Sequence, residues 1–325
     1  MEIVAELSCN HLGGYDRAVA LIDAAKEARA DAVKLQCWHP DRIVVKRDYV
    51  IDSGQWAGRN LYDLCHEAHT PWDWFPRLFT HARQIGIDCF VSVFDVRALD
   101  FLERIHCSRY KIASFEALDL PLVRAVVATG KPVIVSTGMM REKDFPPLLR
   151  IVPRDRLTLL KCVSEYPARA SSYNLGSVRL LKGFANCAGV SDHTLGAAVP
   201  IAAAALRAGM LEKHFTLSRV DGGLDAAFSV EPHELRGIVS QCRDVEAAMI
   251  GDRYVNDVSA QSAQFKRSLW VAQPIKAGDV ITFEGVVSAR PAGGADPDAI
   301  DKVIGCRATR DMAPGEPLRL VDIQP

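Results

Sequence analysis

Short apolar runs alternate with longer amphipathic stretches along the first 250 residues of the chain. The apolar runs predict strands over residues 3–7, 32–36, 89–94, 110–112, 133–136, 157–162, 188–191 and 210–213. Between them, apolar positions recur with helical spacing, which predicts helices over residues 15–30, 72–85, 96–104, 118–129, 197–208 and 232–250. Eight strands alternating with helices are typical of a (β/α)₈ TIM barrel, an α/β fold.

Two parts of the chain depart from this alternation. Residues 40–70 are less regular, and we interpret them as a long insertion over one barrel end, where insertions shape substrate access. Residues 251–266 are polar and aperiodic and predict a linker. Beyond the linker, short apolar runs separated by turn sequences predict a small domain over residues 267–325, which needs a surface to dock against. The barrel domain is therefore expected to span residues 1–250.

Charge and composition exclude several classes of function. Lysine and arginine total 39 against 40 acidic residues, and no basic stripe indicates a nucleic acid or an anionic membrane as a partner. We find no signal-peptide pattern and no apolar stretch of membrane-spanning length. Nine cysteines occur without CxxC pairs, which argues against a disulfide framework and a structural zinc site. We expect a soluble, reduced, cytoplasmic protein.

Two histidines carry the first chemical signal. His193 and His214 each follow an apolar run, and in a barrel both imidazoles would lie at the carboxyl-terminal rim, where such barrels keep their active sites. Converging imidazoles with carboxylates around them suit a divalent metal that keeps open coordination positions. The alternative is that both histidines cap strand ends in ordinary hydrogen bonds. Asp192, beside His193, is a further candidate for fixing an imidazole.

Other polar residues recur at the same end of the predicted strands. Cationic and hydroxyl donors that could surround a phosphate are Lys34, Ser92, Lys111, Ser114, Ser136 and Ser191. Two carboxylates, Glu6 and Glu116, could orient or deprotonate a water molecule. Their alternative role is to form ion pairs with Lys34 or Lys111. Together these residues predict an anionic, phosphorylated substrate.

The order and spacing of these residues resemble a known family, the sialic acid synthases, which are phosphoenolpyruvate-dependent nonulosonate synthases. The matching motifs are Glu6-x-x-x-Asn10-His11, Lys34-x-Gln36, Lys111-Ile-Ala-Ser-Phe-Glu116, Ser136-Thr-Gly-Met139, Ser191-Asp-His-Thr194 and Glu212-Lys-His-Phe-Thr216. The C-terminal part, with Arg290-Pro291 before a glycine-rich loop, is similar to the antifreeze-like (SAF, β-clip) domain of that family. The resemblance covers essentially the whole chain.

This resemblance implies a role for each residue. His193 and His214 would hold Mn²⁺ or Mg²⁺, and Lys111, Glu6 and Glu116 would take part in catalysis. Phosphoenolpyruvate would be bound by Lys34, Ser92, Lys111, Ser114, Ser136, Ser164 and Ser191. The sugar would be faced by Gln36, Glu116, Tyr166 and Asp225, and by Arg290 from the small domain of the other subunit in a domain-swapped homodimer.

Within the family the chain looks most like the pseudaminic acid synthases. His69-Thr-Pro-Trp72, Lys-Ile-Ala-Ser-Phe-Glu and the segment from Leu217 to Ser229 follow that branch rather than the N-acetylneuraminate branch. The implied reaction is a carbon–carbon bond-forming transfer, in which phosphoenolpyruvate condenses with 2,4-diacetamido-2,4,6-trideoxy-L-altrose to give pseudaminic acid and phosphate. N-acetylneuraminate or legionaminate synthesis by the same chemistry is the alternative.

Two alternative functions remain possible from the sequence alone. A Schiff-base aldolase could use Lys161 or Lys34 to form an imine with pyruvate, which would leave the two histidines without a function. A non-enzymatic sugar-binding or ice-binding protein could act through the C-terminal domain. Against ice binding, that domain is charged rather than flat and threonine-rich, with Lys276, Asp279, Arg290, Asp296 and Asp298.

Overall fold

The computed structural model describes residues 1–251 and 258–325. The chain divides into two compact units, Met1–Gly251 and Asp252–Pro325. Of the predicted linker, residues 252–257 lie outside the described residues, and Ala260–Ala263 form a short helix. In the part of the chain that is described, no helix is long and apolar enough to cross a membrane.

Eight parallel strands form the centre of the first unit and close into a barrel in sequence order, β1 to β8. Their bounds are Glu2–Glu6, Ala32–Cys37, Asp88–Val93, Tyr110–Ile112, Val133–Ser136, Leu157–Cys162, Cys187–Asp192 and Met210–His214. The barrel closes where β1 pairs with β8, with Glu6 opposite His214. The TIM-barrel prediction is confirmed, and each predicted strand agrees with the structure to within one residue at either end.

Ten α-helices, α1 to α10, accompany these strands among the described residues of the first unit. Their bounds are Tyr15–Glu27, Pro40–Ile43, Leu61–Ala68, Phe75–Ile85, Val96–Arg104, Leu120–Ala128, Phe145–Ile151, Ser177–Phe184, Ala198–Ala205 and Pro232–Ala248. The first helix ends before the predicted residue 30, because Arg29 adopts a left-handed conformation with φ of 66°. The insertion over residues 40–70 contains two of these helices, α2 and α3, which the sequence did not predict.

The barrel interior is apolar at one end and charged at the other. Most strand residues are fully buried, as expected for parallel strands covered on both faces. Towards the carboxyl ends of the strands, however, the buried side chains include Glu6, Lys34, Lys111 and Glu212. Buried charges are stable only when they are paired with other charges or in contact with water or a ligand. This end of the barrel is therefore the candidate active site.

The second unit is small and built from short strands. Ser268–Val271 (β9) pairs antiparallel with Val286–Ala289 (β10), and Arg307–Ala308 (β11) pairs with Ile323–Gln324 (β12). Two short helices, Ala260–Ala263 (α11) and Ile300–Val303 (α12), complete it. Val280 makes a single isolated bridge with Arg307.

Candidate active site

A cavity of about 950 Å³, including the space at its mouth, opens at the carboxyl ends of the barrel strands. Most of the predicted site residues line it, namely Lys34, Gln36, Ser92, Lys111, Ser114, Ser136, Tyr166, Ser191, His193, His214 and Asp225. The structure thus brings together side chains from seven strands or from the loops that follow them. Glu6, Glu116 and Ser164 lie outside this lining, and Arg290 is an exposed residue directly after β10 of the second unit.

Lys34 on β2 is the centre of a buried charge network. Its Nζ lies 2.7 Å from Glu6 Oε2 and donates to Ser92 Oγ at 2.8 Å. A second carboxylate, Glu212 on β8, lies 3.5 Å from the same ammonium group. Burial opposes the charge of Lys34, but Glu212 and Glu6 outweigh it and raise the pKa of the lysine. Lys34 is therefore a fixed cation on the cavity wall.

Glu212 is a functional residue that the sequence analysis did not assign. Its Oε1 accepts hydrogen bonds from Ser191 Oγ at 3.1 Å and from Lys111 Nζ at 3.4 Å. Burial would raise the pKa of Glu212, but Lys111 and Lys34 outweigh it and lower the pKa to about 2. Burial also lowers the pKa of Lys111, which the charge of Glu212 partly offsets. One carboxylate therefore separates and holds two lysines that would otherwise repel each other.

The signal for Glu212 lies in strand alternation. Residues two apart on a strand project to the same side, and Glu212 precedes His214 by two positions on β8. An inward-facing histidine therefore implies an inward-facing glutamate on the same strand.

Several hydroxyl groups lie next to Gly138. The backbone N–H of Gly138 donates to Ser114 Oγ at 3.2 Å. A Cβ atom at this position would lie 2.3 Å from Ser164 Oγ and 2.8 Å from Ser114 Oγ, so only glycine leaves room for both serines. The hydroxyls of Ser136 and Ser164 are buried and have no hydrogen-bond partner among the described residues. Buried hydroxyls without partners beside two lysines fit an anionic ligand.

The two histidines face each other across neighbouring strands. Their ring centroids lie 5.3 Å apart, with 63° between the ring planes. His193 Nδ1 is 2.7 Å from the carbonyl oxygen of Val163, a contact in which this nitrogen donates, so its Nε2 remains available as a ligand atom. His214 Nδ1 is buried and has no hydrogen-bond partner within residues 1–251 and 258–325. Burial, and to a smaller extent the charge of His193, lowers the pKa of His214 well below its usual value.

This pair fits a divalent cation that takes two protein ligands. Within residues 1–251 and 258–325, no group of three or more histidine, cysteine, aspartate or glutamate side chains could hold a metal ion. A buried imidazole nitrogen without a partner is a ready ligand atom, and Asp225 Oδ2 lies 3.6 Å from it. A cation held by two histidines would keep most of its coordination positions for substrate and water.

Asp192 has a different role from the one that its position beside His193 suggested. Its Oδ2 accepts from Lys213 Nζ at 2.6 Å, and its Oδ1 accepts from the backbone N–H of Thr194 at 2.9 Å. The imidazole of His193 is fixed instead by Val163. The interpretation of Asp192 as the partner of an imidazole is wrong, because the lysine next to His214 takes its carboxylate.

Aromatic side chains cover the histidines on the cavity side. The ring of Tyr166 lies 4.3 Å from that of His193 between centroids. Phe228 packs 5.0 Å from His214 and 5.1 Å from Tyr166. Trp56, from the insertion over residues 40–70, lies 5.3 Å from Tyr166. The insertion therefore contributes to the wall of the cavity.

The two glutamates that the sequence singled out differ in environment. Glu6 is fully buried, accepts a hydrogen bond from Gln36 Nε2 at 2.5 Å and contacts Lys34. Glu116 has one carboxylate oxygen that is buried without a partner, and burial raises the pKa of Glu116 to about 7. A carboxyl group that titrates near neutral pH suits proton transfer.

Comparison with known proteins agrees with this geometry. The NeuB family model matches residues 21–254, and the SAF domain model matches residues 266–324.

The chain belongs to the NeuB family.

Among its relatives, the pseudaminic acid synthase of Campylobacter jejuni subsp. jejuni (serotype O:23/36, strain 81-176) is 37% identical over 330 residues, which cover 99% of this chain and 96% of that protein. The pseudaminic acid synthase of Helicobacter pylori is 36% identical over 332 residues and is covered to 98%, with 99% of this chain aligned. The crystal structure of the N-acetylneuraminic acid (sialic acid) synthetase of Leptospira borgpetersenii in complex with citrate superimposes with a TM-score of 0.72 at 28% identity, over 80% of this chain and 88% of that one.

These matches confirm the family resemblance and the C-terminal SAF domain that the sequence analysis predicted. This NeuB-family chain is an enzyme of the transferase class.

Proposed function

We propose that the enzyme condenses phosphoenolpyruvate with 2,4-diacetamido-2,4,6-trideoxy-L-altrose and releases pseudaminic acid and phosphate. The observation that carries the proposal is the cavity in which two buried lysines lie beside a pair of facing histidines. The relatives at 36% and 37% identity are both pseudaminic acid synthases, whereas the N-acetylneuraminic acid synthetase structure is 28% identical.

The charged end of the cavity supports the binding of phosphoenolpyruvate. Lys34 and Lys111 supply positive charge for the phosphate and carboxylate groups. Donors for the remaining oxygens are the hydroxyls of Ser92, Ser114, Ser136, Ser164 and Ser191. Two of these hydroxyls, those of Ser136 and Ser164, are buried without a partner in the part of the chain that the structure describes, as expected for groups that bind a ligand.

His193 and His214 would hold Mn²⁺ or Mg²⁺. When bound, the metal supplies a Lewis acid for the aldehyde oxygen of the open-chain sugar. The sugar itself would be oriented by Gln36, Tyr166 and Asp225, which line the same cavity.

In the proposed reaction, C3 of phosphoenolpyruvate attacks the aldehyde carbon, and the aldehyde oxygen takes up a proton from solvent water. The new carbon–carbon bond leaves positive charge at C2, and water adds there while it loses a proton to Glu116. The tetrahedral intermediate then expels phosphate by cleavage of the bond between C2 and the phosphate oxygen, and the C2 hydroxyl gives its proton to the departing phosphate and becomes the ketone oxygen. Lys111 stabilises the developing charge on the phosphate, and Glu6 holds Lys34 in position through the contact of 2.7 Å.

We further propose that Arg290 contacts the acyl group of the sugar from the small domain of the partner subunit in a domain-swapped homodimer. The match of residues 266–324 to the SAF domain supports this part of the proposal. We also propose that the chain divides into a barrel over residues 1–250, a linker over residues 251–266 and a small domain over residues 267–325; the two compact units, Met1–Gly251 and Asp252–Pro325, support two domains. The cytoplasmic location stays a prediction.

The imine mechanism receives little support from the surroundings of its two lysines. Lys161 is not part of the cavity lining, and Lys34 is paired with two carboxylates that raise its pKa. An imine-forming lysine needs the opposite, a lowered pKa that leaves the amine neutral.

Acceptor-dependent phosphate release tests the proposed function. Phosphate release from phosphoenolpyruvate would be measured with Mn²⁺ and either the altrose derivative, N-acetylmannosamine or no sugar. Release with the altrose derivative alone, abolished by EDTA, is the expected result. Release with N-acetylmannosamine, or with the precursor of legionaminic acid, would agree with the proposed chemistry but contradict the choice of the altrose derivative as acceptor. Release that persists in EDTA would contradict the proposal that the reaction needs a metal ion.

A further inference from the structure

The cavity has two chemically different ends. One end carries the lysines, serines and histidines described above. The other end is lined by apolar side chains, namely Trp38, Ile43, Leu64, Ala68, Phe94 and Leu224. Trp38 and Ala68, with Cys9, form a small apolar cluster against which Ile43, Phe94 and Leu224 pack. The side chains of this wall offer a sugar hydroxyl few hydrogen-bond partners.

Trp38 is held so that it presents only carbon atoms to the cavity. Its indole N–H donates to the carbonyl oxygen of Cys65 at 3.4 Å, and its own carbonyl oxygen accepts from Trp72 at 3.0 Å. Its ring packs edge-on against Phe94, with 5.1 Å between the centroids. The single donor of the side chain is therefore already used, and no polar atom of the Trp38 side chain is left for a ligand.

Trp56 closes the same cavity and is fixed in a similar way. Its indole N–H donates to the carbonyl oxygen of Leu224 at 2.8 Å, and its ring packs against Tyr166 and Phe228. Both tryptophans thus contribute apolar surface, with their N–H groups bonded to the protein backbone. A hydroxyl group brought against this surface would lose its water and gain no partner, which is unfavourable.

The two ends of the cavity match the two ends of an open-chain sugar. Trp38 directly follows β2 and Phe94 directly follows β3, whereas His193 directly follows β7 and His214 ends β8, with β1 between the two pairs of strands. If the aldehyde carbon lies at the histidines, the far end of the carbon chain points towards the apolar wall. In the proposed acceptor that far end is a methyl group, because the sugar is deoxygenated at C6.

We propose that the apolar wall formed by Trp38, Ile43, Leu64, Ala68, Phe94 and Leu224 binds the terminal methyl group of a 6-deoxy sugar and selects against acceptors with a hydroxyl group there. This inference rests on the proposed function, because it assumes a sugar aldehyde at the histidines. Two residues of this wall, Leu64 and Ala68, lie one helical turn apart on α3, so both face the cavity.

The test compares kcat/KM for the altrose derivative with that for its 6-hydroxy analogue. For the unaltered enzyme we expect a preference of about 10- to 100-fold for the 6-deoxy sugar, the range in which an apolar pocket rejects an added hydroxyl. Leu64→Ser and Ala68→Ser each place a hydroxyl in the wall and are expected to reduce this preference to about a few-fold. Ala68→Ser changes little volume, so it remains informative if Leu64→Ser does not fold.

Leu61→Ser is the matched control. Leu61 lies on the same helix as Leu64 but does not line the cavity, so its substitution should leave the preference unchanged. Equal kcat/KM for the two sugars in the unaltered enzyme, or an unchanged preference in both serine variants, would overturn the inference while the synthase function stands. If neither sugar caused phosphate release, the proposed acceptor would be wrong, and this inference would be wrong with it.

Discussion

The imidazole rings of His193 and His214 face each other at 5.3 Å between centroids, at the ends of two neighbouring strands. The register of the barrel produces this arrangement, because β7 and β8 are parallel and end at the same rim. His193 is oriented by a backbone carbonyl, and His214 keeps a buried nitrogen without a partner. Each ring therefore has a nitrogen that could bind a metal ion.

The first prediction concerns the metal. His193→Ala and His214→Ala should each weaken Mn²⁺ binding by more than the roughly 10- to 100-fold that loss of an outer partner costs. Binding can be followed as free Mn²⁺ by electron paramagnetic resonance, without any activity assay. His233→Ala is the control, since 76% of that side chain is exposed. Wild-type affinity in either cavity variant would contradict the assignment of the metal ligands.

A second prediction concerns Glu116 and pH. Burial raises the pKa of Glu116 to about 7, so the native state holds this proton over a pH range in which the unfolded chain has lost it. Between pH about 4.5 and about 7 the free energy of unfolding should therefore fall as pH rises, by at most about 3 kcal/mol. Glu116→Gln should remove this part of the pH dependence, which urea titrations at several pH values would measure.

Protonation of Glu116 at low pH should lower kcat. If Glu116 accepts the proton from water, kcat rises with pH through about 7, and Glu116→Gln lowers kcat by about 100- to 10,000-fold. A variant that changes the stability profile but retains kcat would show that Glu116 is buried for structural reasons alone.

Gly138 should be essential for the phosphoenolpyruvate subsite. In Gly138→Ala the added Cβ would lie 2.3 Å from Ser164 Oγ and 2.8 Å from Ser114 Oγ, so both serines must move. We expect an increase in KM for phosphoenolpyruvate of at least about 10-fold, as for the loss of one or two hydrogen bonds to a charged group. Gly183→Ala is the control, because this glycine of α8 has no atom within 4 Å of the added Cβ. An unchanged KM in Gly138→Ala would contradict the placement of the subsite.

The buried pair of Lys213 and Asp192 should stabilise the rim that carries both histidines. Both side chains are fully buried and 2.6 Å apart. Lys213→Met should lower the free energy of unfolding by about 3–5 kcal/mol, because it leaves the buried carboxylate without its partner. Lys131→Met, which breaks the more exposed pair with Glu103, should cost only about 0–1 kcal/mol. If both variants lost the same free energy of unfolding, the buried pair would not stabilise the rim more than an exposed pair does.

The strands were predictable because buried parallel strands are continuous apolar runs of limited length. The helices were less predictable from the sequence than the strands. The helix at Phe145–Ile151 has seven residues and begins with two prolines after its phenylalanine, and that at Ser177–Phe184 has eight. Such short segments show too few turns for a helical period to be recognised in the sequence.

The site was predictable in its residue types but not in its pairings. Glu212 bonds with groups from β2, β4 and β7, and no local pattern in the sequence specifies contacts between such distant segments. Trp38 and Trp56 were not assigned either, because a tryptophan that packs in the core and one that lines a cavity have the same sequence signature. Asp192 shows the converse, since adjacency to His193 suggested a contact that the strand alternation excludes.

The central claim is that this barrel forms a carbon–carbon bond between phosphoenolpyruvate and a sugar aldehyde. The most direct measurement is a carbon NMR spectrum of the products made from phosphoenolpyruvate labelled at C3, with Mn²⁺ and the altrose derivative present. We expect the label to appear in a methylene group bonded to the former aldehyde carbon of a nine-carbon acid. Label found only in the methyl group of free pyruvate would contradict it, because phosphate would then have been released without bond formation.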